Sequence, residues 1–397
     1  MDPYRAIGDH GLIGDLQTAA LVGTDGTIAW FCAPRFDSPS IFASLLDRHH
    51  GGHFCIAPEG GHYVTKQLYL PGTPILITRF LSQDGVGEVV DFMPIAGERP
   101  TDRHRIVRMI RVVRGEMRFR VECEPRFGYG REPVEIQLGD GCARFRGPSM
   151  TMNVNPSRRD RRLVREGDLV RTEHGIRAYA RLVAGDVGGM VLETAPDGPA
   201  RVVPPDEMQA LFEQTRDFWR CWLTRSRYRG RWREMVERSA MTLKLMTYAP
   251  TGALVAAPTA GLPEDVGGER NWDYRFTWIR DASFSVYALL GLGFTDEARG
   301  FLQWLNDRVR EAAAQSRQLQ AMYRVDGSPD LAVQTLDHLE GYLGSSPVRV
   351  GNDAAGQLQL DIYGEALNSI QLADAGGLRL SYEAWRNLTT LVDWLCD

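Results

Sequence analysis

Between Asn271 and Leu292 the chain reads Asn-Trp-Asp-Tyr-Arg-Phe-Thr-Trp-Ile-Arg-Asp-Ala-Ser-Phe-Ser-Val-Tyr-Ala-Leu-Leu-Gly-Leu, a polar aromatic stretch running into an apolar one. Tyr274, Trp278, Arg280 and Asp281 stand at the junction. A guanidinium beside a carboxylate takes vicinal hydroxyls in paired hydrogen bonds, and indole and phenol rings cover the C–H face of a pyranose. That set suits a hexose. The same Arg-Asp pair also fits an ordinary helix start, because Asp in a first turn complements the helix dipole. The residues alone leave both readings open.

A second polar stretch runs from Tyr323 to Glu365. It contains Leu339-Glu340-Gly341-Tyr342, Pro347-Val348-Arg349-Val350-Gly351-Asn352 and Gln357-Leu358-Gln359-Leu360-Asp361-Ile362-Tyr363-Gly364-Glu365. Long polar connections at one end of a helical scaffold are where sites are built, although such a connection also serves simply to cap a domain. Other clusters carry less. His49, His50 and His53 lack the helical spacing or the cysteine pair of a metal site, so a solvated turn is expected and no metal is assigned. The basic run of Arg158, Arg159, Arg161, Arg162 and Arg165 reads as an exposed loop. No phosphate-cradling glycine loop and no Gly-x-Ser-x-Gly elbow occurs, which removes the usual footholds of nucleotide and acyl-transfer chemistry. No cofactor is implied.

The elements that must position these residues change character along the chain. Up to about residue 200 the pattern is all-β. Asp25-Gly26 separates Gly14–Val22 from Thr27–Phe31 as a hairpin, and Gln83-Asp84-Gly85 separates Ile75–Leu81 from Val86–Met93. Met117, Phe119, Val121 and Cys123 alternate with polar residues, and further apolar runs lie at Leu163–Val170, Ile176–Val183 and Gly189–Glu193. A short helix is predicted over Pro39–Leu46, capped by Ser38. Many short strands predict an antiparallel β-sandwich. From Pro204 the period becomes helical. Met208, Leu211, Phe212, Thr215, Phe218, Trp219 and Trp222 share one face of a linking helix, and Trp232, Met235, Val236, Ala240, Leu243 and Met246 point inward from the next. Asp281–Leu292, Asp296–Gln315, Tyr363–Ala373 and Tyr382–Cys396 follow as helices. Strands followed by helices predict two domains of different class.

The 397 residues carry a net charge of −5, which gives no electrostatic footprint for nucleic acid. Of 46 basic residues only Lys66 and Lys244 are lysines, a compositional bias read as background. The opening Met-Asp-Pro-Tyr-Arg-Ala-Ile-Gly has no secretory apolar run, and no stretch reaches the ~18 apolar residues of a membrane span. Six singly spaced cysteines read as reduced thiols. These features predict a cytoplasmic protein without a membrane partner.

Tyr-x-x-x-Trp-x-Arg-Asp at 274–281 and the run from Pro347 to Glu365 together resemble glycoside hydrolase family 15, which includes glucoamylases and bacterial trehalases. Ile7-Gly8-Asp9-His10-Gly11-Leu12-Ile13-Gly14-Asp15, continued by Asp25-Gly26-Thr27-Ile28-Ala29-Trp30, resembles the β-sandwich that precedes the catalytic domain in bacterial members. The resemblance implies a trehalase-like N-terminal sandwich over 1–203, a linker helix over 204–229 and the N-terminal part of an (α/α)6 toroid over 230–397, of which about the first half is present. It implies an inverting, exo-acting α-glucoside hydrolase releasing glucose from a non-reducing end. Tyr274, Trp278, Arg280 and Asp281 then line the pocket for the terminal glucose, with Gln359 and Asp361 as further substrate contacts. Trehalose, maltodextrin and isomaltose all remain as substrates, with the cytoplasmic setting favouring trehalose or recycled maltodextrin.

Inversion needs an acid and a base carboxylate roughly 6.5–9.5 Å apart. In the family both fall at positions beyond Asp397, so no catalytic residue is assigned here. Glu340 and Glu365 are the best-placed internal substitutes. A partial toroid is expected to leave apolar helix faces short of partners, and several hundred Å2 of such surface costs on the order of 10 kcal/mol. A C-terminal continuation, an oligomer or another partner is therefore expected. The rival functional class is a non-catalytic glucoside-binding remnant. A phosphorylase of similar layout is a third reading, distinguished by glucose 1-phosphate formed only with inorganic phosphate.

Overall fold

The computed structural model describes residues 4–139, 141–157, 169–315, 318–375, 377 and 381–396, without the side chains of 372, 373 and 375. The arginine run at 158–165 and most of the apolar run Leu163–Val170 lie outside the described residues.

The first nine strands are β1 (His10–Gly14), β2 (Ala19–Gly23), β3 (Thr27–Cys32), β4 (Ser40–Phe42), β5 (His53–Pro58), β6 (Val64–Tyr69), β7 (Leu76–Leu81), β8 (Gly85–Phe92) and β9 (Arg105–Glu124). All their pairings are antiparallel. The 20-residue β9 belongs to two sheets. Its first half pairs with β8 and with Val187–Thr194, so that Val107 faces both Phe92 and Val191. Its second half pairs with β5 and with Ile176–Val183, so that Val121 faces both Ile56 and Ala178. The strand changes sheets at Gly115, where φ is +72° and a Cβ would meet the Asp84 carbonyl oxygen at 1.9 Å. Only glycine tolerates that bend.

Ile28, Phe54, Ile56, Phe80, Val89, Ile110, Phe119 and Val121 fill the space between the sheets. Alternation was legible in the second half of β9 because that half buries one face, with Met117, Phe119, Val121 and Cys123 inward. The first half is covered on both sides, since Val107, Met109 and Val191 also pack on Met208. Its polar-apolar period is accordingly lost.

Helix α1 (Pro205–Leu223) bridges the two halves of the molecule. Its start packs on the sheet through Met208 and through Phe212, whose ring lies 5.8 Å from that of Phe92. Its end packs through Trp219, Trp222 and Leu223 on helices α2 (Arg233–Leu245) and α3 (Ile279–Leu292). Ile279, Ala282, Ser283, Val286 and Leu289 form the buried stripe of α3. Gly293, at φ +99°, ends the helix, with Gly293 N–H bonded to Leu290 O and Phe294 N–H to Leu289 O. Helices α4 (Thr295–Ala314), α5 (Asp361–Ala375) and α6 (Tyr382–Cys396) complete the layer. Phe301, Leu305, Val309, Ile362, Ala366 and Leu391 join the α3 stripe in one core. No described helix is long and apolar enough to cross a membrane.

Several local expectations need correction. Pro39–Leu46 is not a helix: Ser40–Phe42 is strand β4, whose Phe42 opposes Phe31, and Ala43–Leu46 turns back on it. Burial of Ile41 and Phe42 in the intersheet core outweighs the capping pattern. Gly14–Val22 is not one strand either. Asp15 breaks it by accepting the N–H groups of Gln17 and Thr18, which makes β1 and β2 a hairpin of their own. Trp232 and Met235 do not point inward but are 59% and 67% exposed, while Ala240, Met241 and Leu245 carry the packing of α2.

Candidate functional site

Asn271–Asp273 and Thr277–Trp278 form two short strands, joined through a bend at the buried Phe276, that pair with Ala260–Pro263 and with Met322–Tyr323. Extended chain alternates its sides. Asn271, Asp273, Arg275 and Thr277 are buried, while Trp272, Tyr274 and Trp278 are only half-buried and face outward. The chain then turns into α3, which sets Arg280 and Asp281 in its first turn. The Tyr274 and Trp278 rings lie 6.0 Å apart, inclined by only 17°. The Arg280 guanidinium sits 4.9 Å from the Trp278 ring centroid.

The second polar stretch comes to meet this one. Trp278 Nε1 donates to Gln359 Oε1 at 3.0 Å, and Gln359 Nε2 donates to Gln357 Oε1 at 3.0 Å. Arg280 Nη1 donates to Asp361 Oδ2 at 2.8 Å, joining the N-terminal turns of α3 and α5. All six residues expected to contact a sugar, Tyr274, Trp278, Arg280, Asp281, Gln359 and Asp361, are therefore linked in one surface. Its charged side chains are 36% (Arg280), 43% (Asp281) and 46% (Asp361) exposed, so the surface is an open ledge.

Asp281 Oδ2 is itself buried, 3.6 Å from Arg280 Nε, and accepts no hydrogen bond among the described residues, so the exposed part of this carboxylate is the part a ligand can reach. Burial pushes the Asp281 carboxyl up from the usual carboxylate range. The Arg280 charge and its own helical N–H oppose this, and Asp361 adds to it. An aromatic wall, a forked cation and a carboxylate with acceptor capacity to spare can bind vicinal hydroxyls directionally.

Beneath the ledge lies a network that sequence reasoning passed over. Arg275 Nε and Nη2 clasp Asp273 at 2.9 and 2.7 Å. Arg275 Nη1 donates to Ser38 O at 2.6 Å, and Nη2 to the Tyr129 hydroxyl at 2.7 Å. Asp273 also accepts Gly351 N–H at 3.1 Å, and its carbonyl accepts Asn352 Nδ2 at 3.0 Å. Burial works against the Arg275 charge, and Asp273, with smaller help from Tyr129 and Cys32, more than restores it. The aromatic loop, the Pro347–Asn352 segment and the β-region are thereby pinned together. The available signal was local alternation: beside the half-buried Tyr274, Arg275 falls on the buried side with Asp273.

Elsewhere the expected residues disperse. The Tyr4 hydroxyl donates to Glu340, whose own N–H donates to Asp47 at 3.2 Å, so this carboxylate belongs to the contact with the N-terminal segment. Glu365 falls inside α5. His50 bonds Asp47 at 3.1 Å, and no group of three metal-ligating side chains occurs among the described residues.

Comparison with known proteins adds the following. Residues 230–397 match Glycosyl hydrolases family 15, and residues 3–160 match the trehalase-like N-terminal family. The trehalase of Thermoplasma volcanium is 33% identical over 396 residues, covering 96% of this chain and 59% of its own length. That of Mycolicibacterium smegmatis is 35% identical over 392 residues, covering 94% and 57%. That of Thermoplasma acidophilum is 36% identical over 380 residues, covering 91% and 60%. The chain thus spans 57–60% of the length of these relatives. A bacterial glucoamylase solved with acarbose superposes with a TM-score of 0.63 over the whole chain and 59% of its own, at 12% identity, which establishes the likeness of fold.

Proposed function

The chain belongs to glycoside hydrolase family 15, and from that membership we propose that it serves an inverting, exo-acting α-glucoside hydrolase of the trehalase type, holding the terminal glucose of trehalose on the ledge. The observation that carries the reading is the meeting of two segments 81 residues apart, through Trp278 with Gln359 and Arg280 with Asp361. In this reading residues 1–203 are an accessory β-sandwich, 204–229 a linker helix and 230–397 part of an (α/α)6 toroid.

Tyr274 and Trp278 take the C–H face of the ring, Arg280 donates to hydroxyl oxygens, and Asp281 accepts from a neighbouring hydroxyl. Gln359 fixes the indole and Asp361 fixes the guanidinium, which limits the entropy lost on binding. Bond cleavage with inversion takes one carboxylic acid to protonate the leaving oxygen and one carboxylate to activate water. Asp281 and Asp361 both flank Arg280, an arrangement suited to recognition, and neither is assigned a proton-transfer role.

That same arrangement favours a second reading, a glucoside binder without hydrolysis. One experiment separates the two: trehalose and maltose are titrated against the intrinsic tryptophan fluorescence, and glucose release is assayed alongside. Saturable quenching with glucose release supports the hydrolase, and quenching without release supports the binder. If neither sugar binds, both readings fail.

A further inference from the structure

On the face of β3, β5 and β9 turned away from the intersheet core lies a second hollow, of about 260 Å3. Its floor follows from strand register. Thr27 opposes Cys55, Cys55 opposes Glu122 and Ala57 opposes Arg120, so small side chains face outward in the middle while long ones stand at the edge. Ala29 extends the floor. The N-terminal segment arches over one side, held by the Arg5–Asp25 ion pair at 3.3 Å and by the Tyr342 hydroxyl on Arg5 O at 3.1 Å. Since a water occupies ~30 Å3 of liquid volume, the hollow has room for a small ion with part of its hydration.

What it would take follows from which groups are already engaged. Its carboxylates are spent: Asp25 holds Arg5 and the Thr27 N–H, and Glu122 holds Arg120 at 3.2 Å and Arg177 at 2.7 Å. Its unspent groups include a guanidinium and an imidazole. Arg48 makes no ion pair among the described residues and only leans on the Tyr4 ring at 5.9 Å. His53 lines the hollow and makes no side-chain hydrogen bond among the described residues. We propose that this hollow, which Arg48 and His53 both line, binds a small oxyanion, a phosphoryl or carboxylate group. Of its charged side chains Arg48 alone lacks an ion-pair partner among the described residues, which favours an anion over a neutral sugar. A metal ion would need a ligand triad that the described residues lack.

Binding carries a pH signature. Burial holds the His53 imidazole below its ordinary value. Glu124, Glu122 and Asp25 pull it upward, and Arg120 pushes it further down. An anion beside the ring favours the imidazolium, so binding takes up a proton and tightens as pH falls. The inference is independent of the glucoside reading.

The test is calorimetric titration of the folded chain with inorganic phosphate and, separately, acetate in low-chloride buffer. Saturable binding of either anion is expected, and acetate, whose own charge is constant there, binds more tightly as pH falls toward and below 6.5. Phosphate alone identifies a phosphoryl ligand and acetate alone a carboxylate. Arg48→Gln, at an exposed position, weakens binding by about tenfold or more. His53→Gln removes the pH dependence, and Trp278→Ala changes neither. The proposal is overturned if no saturable heat appears with either anion up to ~10 mM, or if Arg48→Gln binds as the unaltered chain does.

Discussion

Arg275 donates to the hydroxyl of Tyr129 at 2.7 Å across 146 positions of chain. The bond ties the stretch that carries Tyr274 and Trp278 to the β-region. The same guanidinium reaches Ser38 O at 2.6 Å and both oxygens of Asp273, with its side chain 1% exposed. The ledge therefore stands on a charged interior joint, and its stability is bound to that of the contact between the two halves.

Replacing Arg275 by leucine leaves Asp273 buried without its partner. Removing one member of a buried pair costs roughly 3–5 kcal/mol. Denaturant unfolding should show a loss of that size, and glucoside affinity should fall as the flanking aromatics lose their support. A loss below about 1 kcal/mol would show that the joint does not hold the loop.

Trp278→Ala removes the partner of Tyr274, the hydrogen bond to Gln359 and the platform under Arg280 at once. A central aromatic anchor is typically worth ~2 kcal/mol or more, about thirtyfold in affinity. Trehalose titration should show at least that loss, together with a lower melting temperature, because the half-buried ring also packs against the helical core and the Phe276–Met322 cluster. Unaltered affinity would detach the ledge from sugar binding.

Asp281 gives the ledge a pH dependence. Its folded carboxyl lies above the ordinary value of 3.8, chiefly through burial, so its contribution to folding is fully present below that value and is lost as pH rises through the raised one. Sugar binding runs the other way, because a hydroxyl donates better to the carboxylate than to the acid. Affinity should fall with decreasing pH at a midpoint above 3.8. Asp281→Asn should bind more weakly and lose that dependence, as read by calorimetry across the acid range.

A separate joint governs stability on the alkaline side. His104 Nδ1 meets Asp15 Oδ2 at 2.6 Å and Nε2 meets Thr101 O at 2.9 Å, with both side chains fully buried. Burial lowers the imidazole's proton affinity, but the Asp15 charge and the two hydrogen bonds raise it further, leaving it above 6.5. The stabilisation is complete below pH 6.5 and is lost as pH rises through the raised value. Melting temperature should decline across that window, and His104→Gln should start lower and decline less. A parallel decline in both proteins would rule this pair out as the cause.

Much of the architecture is legible without coordinates where one face of an element is buried. Met117–Cys123 and the turn at Gln83-Asp84-Gly85 are read correctly because a single polar-apolar alternation and a single turn chemistry decide them. Legibility fails where tertiary burial overrides a local signal. Pro39–Leu46 carries a helix-start pattern, yet Phe42 is worth more in the core beside Phe31 and Phe54. Trp232 and Met235 are apolar but exposed, because the packing face of α2 is set by Ala240, Met241 and Leu245.

By itself the order of residues determined the change from strands to helices near residue 204 and the residue types able to grip a sugar, since periodicity and side-chain chemistry are local properties. Only the tertiary structure decided that Gln359 would hold Trp278, that Asp361 would hold Arg280, and which one of 44 arginines would be buried as the joint beneath them. A guanidinium's partner depends on which distant segment the fold brings within about 3 Å, and hydrogen bonding at that range leaves no trace in the spacing of either segment alone.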